Sequence, residues 1–158
     1  MQKGVTVEQV ARTSYAFTQS GILVHAYLMF GFPSQTIQET IDSLERVRQL
    51  FFHKCLQSAF WHRFSATIHS PVGKNPEEYR ITLGKVESTF ARNDLPFEDS
   101  THIDHDQFHP GLRKAVYNYM HGLGLEEDVR NWFDFPVPKV KVSKNFVQNA
   151  LPGGPSFH

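Results

Sequence analysis

Residues 22–51 read ILVHAYLMF, GFPSQT and IQETIDSLERVRQLF in unbroken succession. The first nine residues alternate at period two. Ile22, Val24, Ala26, Leu28 and Phe30 form an apolar face, and Leu23, His25, Tyr27 and Met29 a mixed one. This pattern predicts a strand over 22–30 with its apolar face packed under helices. The mixed face then suits a pocket or barrel interior; alternatively, His25 and Tyr27 are hydrogen-bonded core residues. Gly31 and Pro33 mark the next six residues as a tight turn. Thr36-Ile37-Gln38-Glu39 fits a capping box. Ile37, Ile41, Leu44, Val47 and Phe51 then recur at helical spacing, which predicts a helix over 37–51.

Upstream, Thr6 and Gln9 fit a second capping box, and Gly21 suits the position just past a helix end. These signals predict a helix over 7–20. Downstream, residues 56–68 read as another strand. Phe60, Phe64, Ala66 and Ile68 lie on one face, interrupted by His62, and Trp61, Arg63, Ser65 and Thr67 on the other. A helix between two such strands implies a parallel pair joined by a right-handed crossover. Polar residues on both strands predict a pocket at their carboxyl ends, lined by His25, Tyr27, Trp61 and Arg63. Arg63 is costly to bury and requires an anionic partner.

After this unit the composition changes. Residues 69–76 carry two prolines and a glycine and predict a loop. Residues 77–110 are polar and irregular, with short strands expected at 81–83 and 88–91, and suit a cover over a site. His102, His105 and His109 stand here at spacings of three and four. That spacing could gather imidazoles on one metal, but Pro110 follows and no helix is signalled before it, so no metal site is assigned. A third helix is expected over 112–123 and a short fourth over 125–133. An edge strand is expected over 137–142, a last helical turn over 143–151, and a disordered tail over 152–158. The resulting division is 1–76, 77–151 and 152–158.

The 158 residues carry 16 basic and 16 acidic side chains. That balance argues against a nucleic acid or an acidic membrane surface as the main partner. Fourteen phenylalanines mark a chain that buries large side chains. Cys55 is the only cysteine, which excludes an internal disulfide and a cysteine-only metal site. The longest apolar run, 22–30, is too short to span a bilayer, and a cytoplasmic location is expected.

Taken together, ILVHAYLMF-GFPSQT, the capped helix after it, AFWHRFSATIHSPVG (59–73) and GLRKAVYNYMHGLGLEEDVRNWF (111–133) resemble the radical S-adenosylmethionine (radical SAM) superfamily. The resemblance is closest to the iron-sulfur oxidoreductase branch with coproporphyrinogen oxidase-like and B12-binding-domain enzymes, and covers about Val5 to Phe133. It implies an α/β fold: a partial TIM-type (β/α) barrel segment followed by a mostly helical C-terminal extension. It also implies that Gly31, Phe32 and Pro33 shape an S-adenosylmethionine pocket through backbone contacts. The sequence departs from the family in lacking the CxxxCxxC motif for a [4Fe-4S] cluster and the glycine-rich motif for the S-adenosylmethionine amino group. The expectation is therefore a C-terminal fragment, inactive and cofactor-free by itself, whose partner is the missing N-terminal part of its own chain. A sheet cut in this way would expose an edge open to homo-oligomer formation. Two further readings compete: a self-contained binding or interaction module without catalysis, and a metal-dependent hydrolase using the histidine-rich loop.

Overall fold

The computed structural model describes residues 4–84 and 93–153. They form five α-helices, two 3-10 turns and six short strands. The helix α1, Val7–Gln19, begins at the expected capping box: Thr6 Oγ1 accepts from the Gln9 amide, and the Gln9 side chain accepts from the Thr6 amide. Gly21 follows with φ +78°. The strand β1, His25–Phe30, pairs in parallel with β2, Ser58–Arg63. The helix α2, Ile37–Phe52, joins them and carries the second capping box, Thr36 with Glu39. The helix-strand-helix-strand order matches the sequence reading.

The barrel expectation is overturned. The β1–β2 sheet has two strands, and no further strand joins it among the described residues. A barrel closes only when every strand has neighbours on both sides. Here the chain leaves the sheet after Arg63. Phe64 makes one last amide bond to Phe30 O, and the strand expected to reach Ile68 is broken. Its remainder, β3 (Ala66–Thr67), pairs antiparallel with β5 (Asp94–Leu95) in a separate sheet. A third antiparallel pair joins β4, Ile81–Leu83, to β6, Phe97–Asp99. Between β3 and β4, Ser70 caps a single helical turn, α3, Pro71–Lys74, where a loop was expected. The strand expected over 88–91 lies outside the described residues.

The later elements also differ from expectation. The helix α4 spans His109–Met120, three residues earlier than predicted, because Pro110 sits in its first turn, where a missing N–H costs nothing. The predicted fourth helix is only a 3-10 turn, Val129–Trp132, capped by Asp128. Residues 137–142 form no strand. Their backbone is bound by side chains of α2 instead: Asp42 Oδ1 accepts from the Lys141 amide at 2.8 Å, and Gln38 Nε2 donates to Lys139 O at 2.9 Å. The last helix, α5, spans Phe146–Ala150.

Two apolar clusters hold these pieces. The larger joins one face of β1–β2 to α2, α4 and α5, centred on Phe30, Leu44, Trp61, Phe108, Leu112 and Val147. The smaller joins Ala66, Val72, Ile81 and Leu95 beneath the short strands. Among the described residues, no helix is long and apolar enough to cross a membrane.

Candidate functional site

The turn after β1 is built around a close approach. Gly31 has φ +73°, where a side chain is strained, and a Cβ there would displace the Arg63 guanidinium from its place against the turn. Arg63 ends β2, opposite Phe30 in register. Its guanidinium donates to Gly31 O through Nη1, and through Nε to Asp106 Oδ1 at 3.0 Å. Asp106 is thus the anionic partner that the sequence required.

The amides of Gly31 and Phe32 both donate to Gln35 Oε1, at 2.6 and 3.2 Å. These are two of the backbone donors expected to face a cofactor, and they are satisfied within the turn. Pro33 is buried, and the Phe32 ring packs edge-on against Phe64 and Tyr79. In this structure the GFPSQT turn locks β1 to β2 and to the smaller cluster.

The strand register separates the four residues expected to share a pocket. His25 and Tyr27 lie on the sheet face away from the core. Trp61 stands opposite Leu28 on the covered face and is buried, and Arg63 sits at the strand end. The residues beside Tyr27 are instead Phe60 and His62. Tyr27 stacks on His62 at 5.0 Å between ring centroids and meets His25 edge-on at 5.1 Å. Phe60 touches His62 at 4.8 Å. His25 Nδ1 and Ser58 Oγ lie 2.7 Å apart. Tyr27 is 77 % exposed, Phe60 49 % and Met29 41 %. A large aromatic surface therefore lies uncovered, whereas such groups ordinarily bury most of their area. The alternation in β1 marked out its half of this face; Phe60 and His62 were legible only once the register was known.

The histidine-rich loop does not gather. His105 is buried, with Nε2 3.3 Å from Asp99 Oδ2. His102 is exposed, and His109 packs on the Phe30 ring at 5.3 Å. Among the described residues, no three His, Cys, Asp or Glu side chains are arranged to hold a metal. Asp99 is a residue that sequence reasoning missed. Burial pushes its carboxyl up, but hydrogen bonds from the Thr101 side chain and amide and from His105 outweigh this, holding it below the usual carboxylate range. An Asx turn, with Thr101 two residues on, was the available local signal.

The chain does not fit an iron-sulfur cluster. Its one cysteine, Cys55, is fully buried, and burial pushes the thiol up to about 11; cluster ligation needs several accessible thiolates. The chain matches no protein-family model, and comparison with curated proteins and with solved structures gives no match.

Proposed function

We propose that this chain supplies one wall of a ligand pocket in an S-adenosylmethionine-dependent iron-sulfur oxidoreductase and has no catalytic activity by itself. The observation that carries the pocket part of this reading is the uncovered face of β1–β2: Tyr27, Met29 and Phe60 exposed beside His25 and His62. A clustered apolar and aromatic surface of this kind marks a binding or association face. The turn ending β1 adjoins it, at the strand carboxyl ends where α/β sheets usually take their ligands. The enzyme class rests on the resemblance of GFPSQT, AFWHRFSATIHSPVG and YNYMHGLGLE to radical SAM sequences.

On this reading the cluster ligands belong to a cysteine-bearing segment that packs against the open face. His25, Tyr27 and His62 then line the enclosed space, and the turn from Gly31 to Pro33 sets the angle between strand and helix. Arg63, fixed by Gly31 and Asp106, braces that turn. Without the segment, the open face and the free sheet edge are the surfaces through which the chain would associate with a second copy.

The test is the reading frame that precedes the Met1 codon in the gene, expressed together with this chain. The expected result is a CxxxCxxC motif in frame, about four irons per assembly after anaerobic reconstitution, and reductive cleavage of S-adenosylmethionine that is lost in Tyr27→Glu. An in-frame stop codon with no such motif would refute the enzyme reading and leave a small self-contained binding module.

A further inference from the structure

The two outer edges of the β1–β2 sheet are not alike. Along β2 the inward residues Ala59 and Trp61 are 3 % and 4 % exposed, and α4 lies against that side. Along β1 the inward residues Ala26 and Leu28 are both partly exposed. Among the described residues β1 pairs only with β2, so its far edge is the bare one.

The backbone of β1 divides its groups by parity. Val24 O and Phe30 O accept from the Ser58 and Phe64 amides, so the even-numbered residues turn their N–H and C=O towards β2. Those of His25, Tyr27 and Met29 point the other way. Outside the β1–β2 ladder no backbone bond involves these three residues among the described ones. They form one row of donors and acceptors spaced evenly about Tyr27.

This row is complementary to itself. When two copies of β1 run antiparallel about a two-fold axis at Tyr27, that residue faces Tyr27 of the second copy, and His25 faces Met29 of the second copy. Each facing pair exchanges both N–H···O bonds, so the whole row is satisfied. Moving the axis to His25 or Met29 would leave part of it unmatched. On the inner side, Ala26 meets Leu28 of the second copy, apolar against apolar. HAYLMF contains no Lys, Arg, Asp, Glu or Pro, so β1 has none of the charges and breaks that ordinarily protect an edge from pairing. The 16 basic and 16 acidic side chains of the chain cancel, and two copies approach without net repulsion.

We propose that this chain forms a two-fold homodimer in which β1 pairs antiparallel with β1 of a second copy, in register at Tyr27, to give a four-stranded sheet of order β2-β1-β1-β2. The pairing rests on the free-edge association proposed above, to which it adds a direction and a register, and it does not require the enzyme class. An isologous contact of this kind closes at two copies, and α4 beside β2 leaves no equivalent edge at the ends of the new sheet. The aromatic faces of the two copies become one surface, with the two Tyr27 side chains adjacent at its centre.

The test combines sedimentation equilibrium of the 158-residue chain across a concentration series with oxidation of single-cysteine variants. Cys55 is fully buried and its thiol is pushed up to about 11, so it does not compete. The expected result is a monomer–dimer equilibrium and a disulfide-linked dimer of Tyr27→Cys. Facing residues of a hydrogen-bonded antiparallel pair stand about 5.5 Å apart at Cα, within disulfide reach. His25→Cys by itself should cross-link at least about tenfold more slowly, because its two copies are offset by roughly 14 Å along the strand. Mixed with Met29→Cys, it should cross-link readily, and this pair retains Tyr27, so a folding defect in Tyr27→Cys cannot decide the outcome. A strictly monomeric chain whose circular dichroism shows it folded would overturn the dimer without touching the reading-frame test of the enzyme class. Assemblies larger than a dimer would also overturn it. So would a dimer in which His25→Cys links to itself as fast as it links to Met29→Cys.

Discussion

The two faces of the β1–β2 sheet come from the same twelve residues and have opposite fates. Ala26, Leu28, Phe30, Ala59 and Trp61 lie under α2 and α4, most of them buried. His25, Tyr27, Met29, Phe60 and His62 lie in the open, in contact mainly with one another. Their composition alone does not explain this, since both faces carry large aromatics. What decides is which face the helices reach. A sheet of two strands has no second layer unless another part of the chain or another molecule supplies one. Alternation identifies faces, while coverage is a property of topology.

The strongest way to break this contrast is to empty the covered face. Phe30 is buried and meets Trp61 edge-on at 6.3 Å and His109 at 5.3 Å. Phe30→Ala should cost about 3–5 kcal/mol, the usual range for truncating a buried aromatic. Urea denaturation followed by tryptophan fluorescence would measure it. A loss below about 1 kcal/mol would mean that this face is not the centre of the core.

The next effect concerns how α4 is held against β2. Asp99 bonds His105, which lies in the 3-10 turn His105–Phe108 leading into α4. Its folded pKa is depressed, so its contribution is present above the unfolded carboxylate pKa, near 3.9. That contribution is lost as pH falls through the lower folded value. Wild-type stability should therefore decline below about pH 4, and Asp99→Asn should flatten that decline. At neutral pH the substitution should cost about 1–3 kcal/mol through groups left unpaired. An unchanged acid profile in Asp99→Asn would remove Asp99 from this role.

A smaller effect is expected at the start of α2, the helix that covers β1 and β2. Thr36→Ala removes the acceptor for the Glu39 amide and should cost about 1 kcal/mol, within the usual range for such a cap. The open face should be unaltered, which can be checked by the chemical shifts of His25 and His62. Loss of those shifts along with stability would couple the two faces more tightly than the packing implies.

These sites also mark how far the sequence could be read. Both capping boxes, α1, α2 and the parallel pair were legible because each rests on local chemistry or strict period. The pocket of His25, Tyr27, Trp61 and Arg63 was not, because it required β2's parity. His62 broke the apolar run, and the face it shares with Phe60 is the open one, while Ala59 and Trp61 face inward. The barrel failed for a related reason. A strand-helix-strand unit is compatible with any parallel sheet, and closure depends on strands that no local signal in this chain can supply. Residues 137–142 read as a strand by their valines. Their partners turned out to be Gln38 and Asp42, about a hundred positions away in the chain, and no periodicity encodes such a contact.

The smallest expected effect is the sharpest test of the contrast. Tyr27 lies on the open face, 77 % exposed, touching only side chains of its own sheet among its aromatic neighbours. Tyr27→Glu removes two ring contacts and adds a charge to a surface that water already reaches. Surface changes of this kind normally alter stability by less than about 0.5 kcal/mol, so the unfolding midpoint of the monomer should barely move. Association is another matter. A carboxylate at the centre of an apolar contact must be desolvated when a second surface covers it. If the open face is where the chain meets a second copy or a covering segment, Tyr27→Glu should shift light-scattering masses towards monomer across a concentration series, while Leu23→Glu, outside β1, shifts them less. A variant that unfolds by more than about 2 kcal/mol would show that the chain itself covers this face. A variant with unchanged stability and unchanged association would show that the face is uncovered and idle. Only low cost to folding together with weakened association fits a surface kept open for a partner.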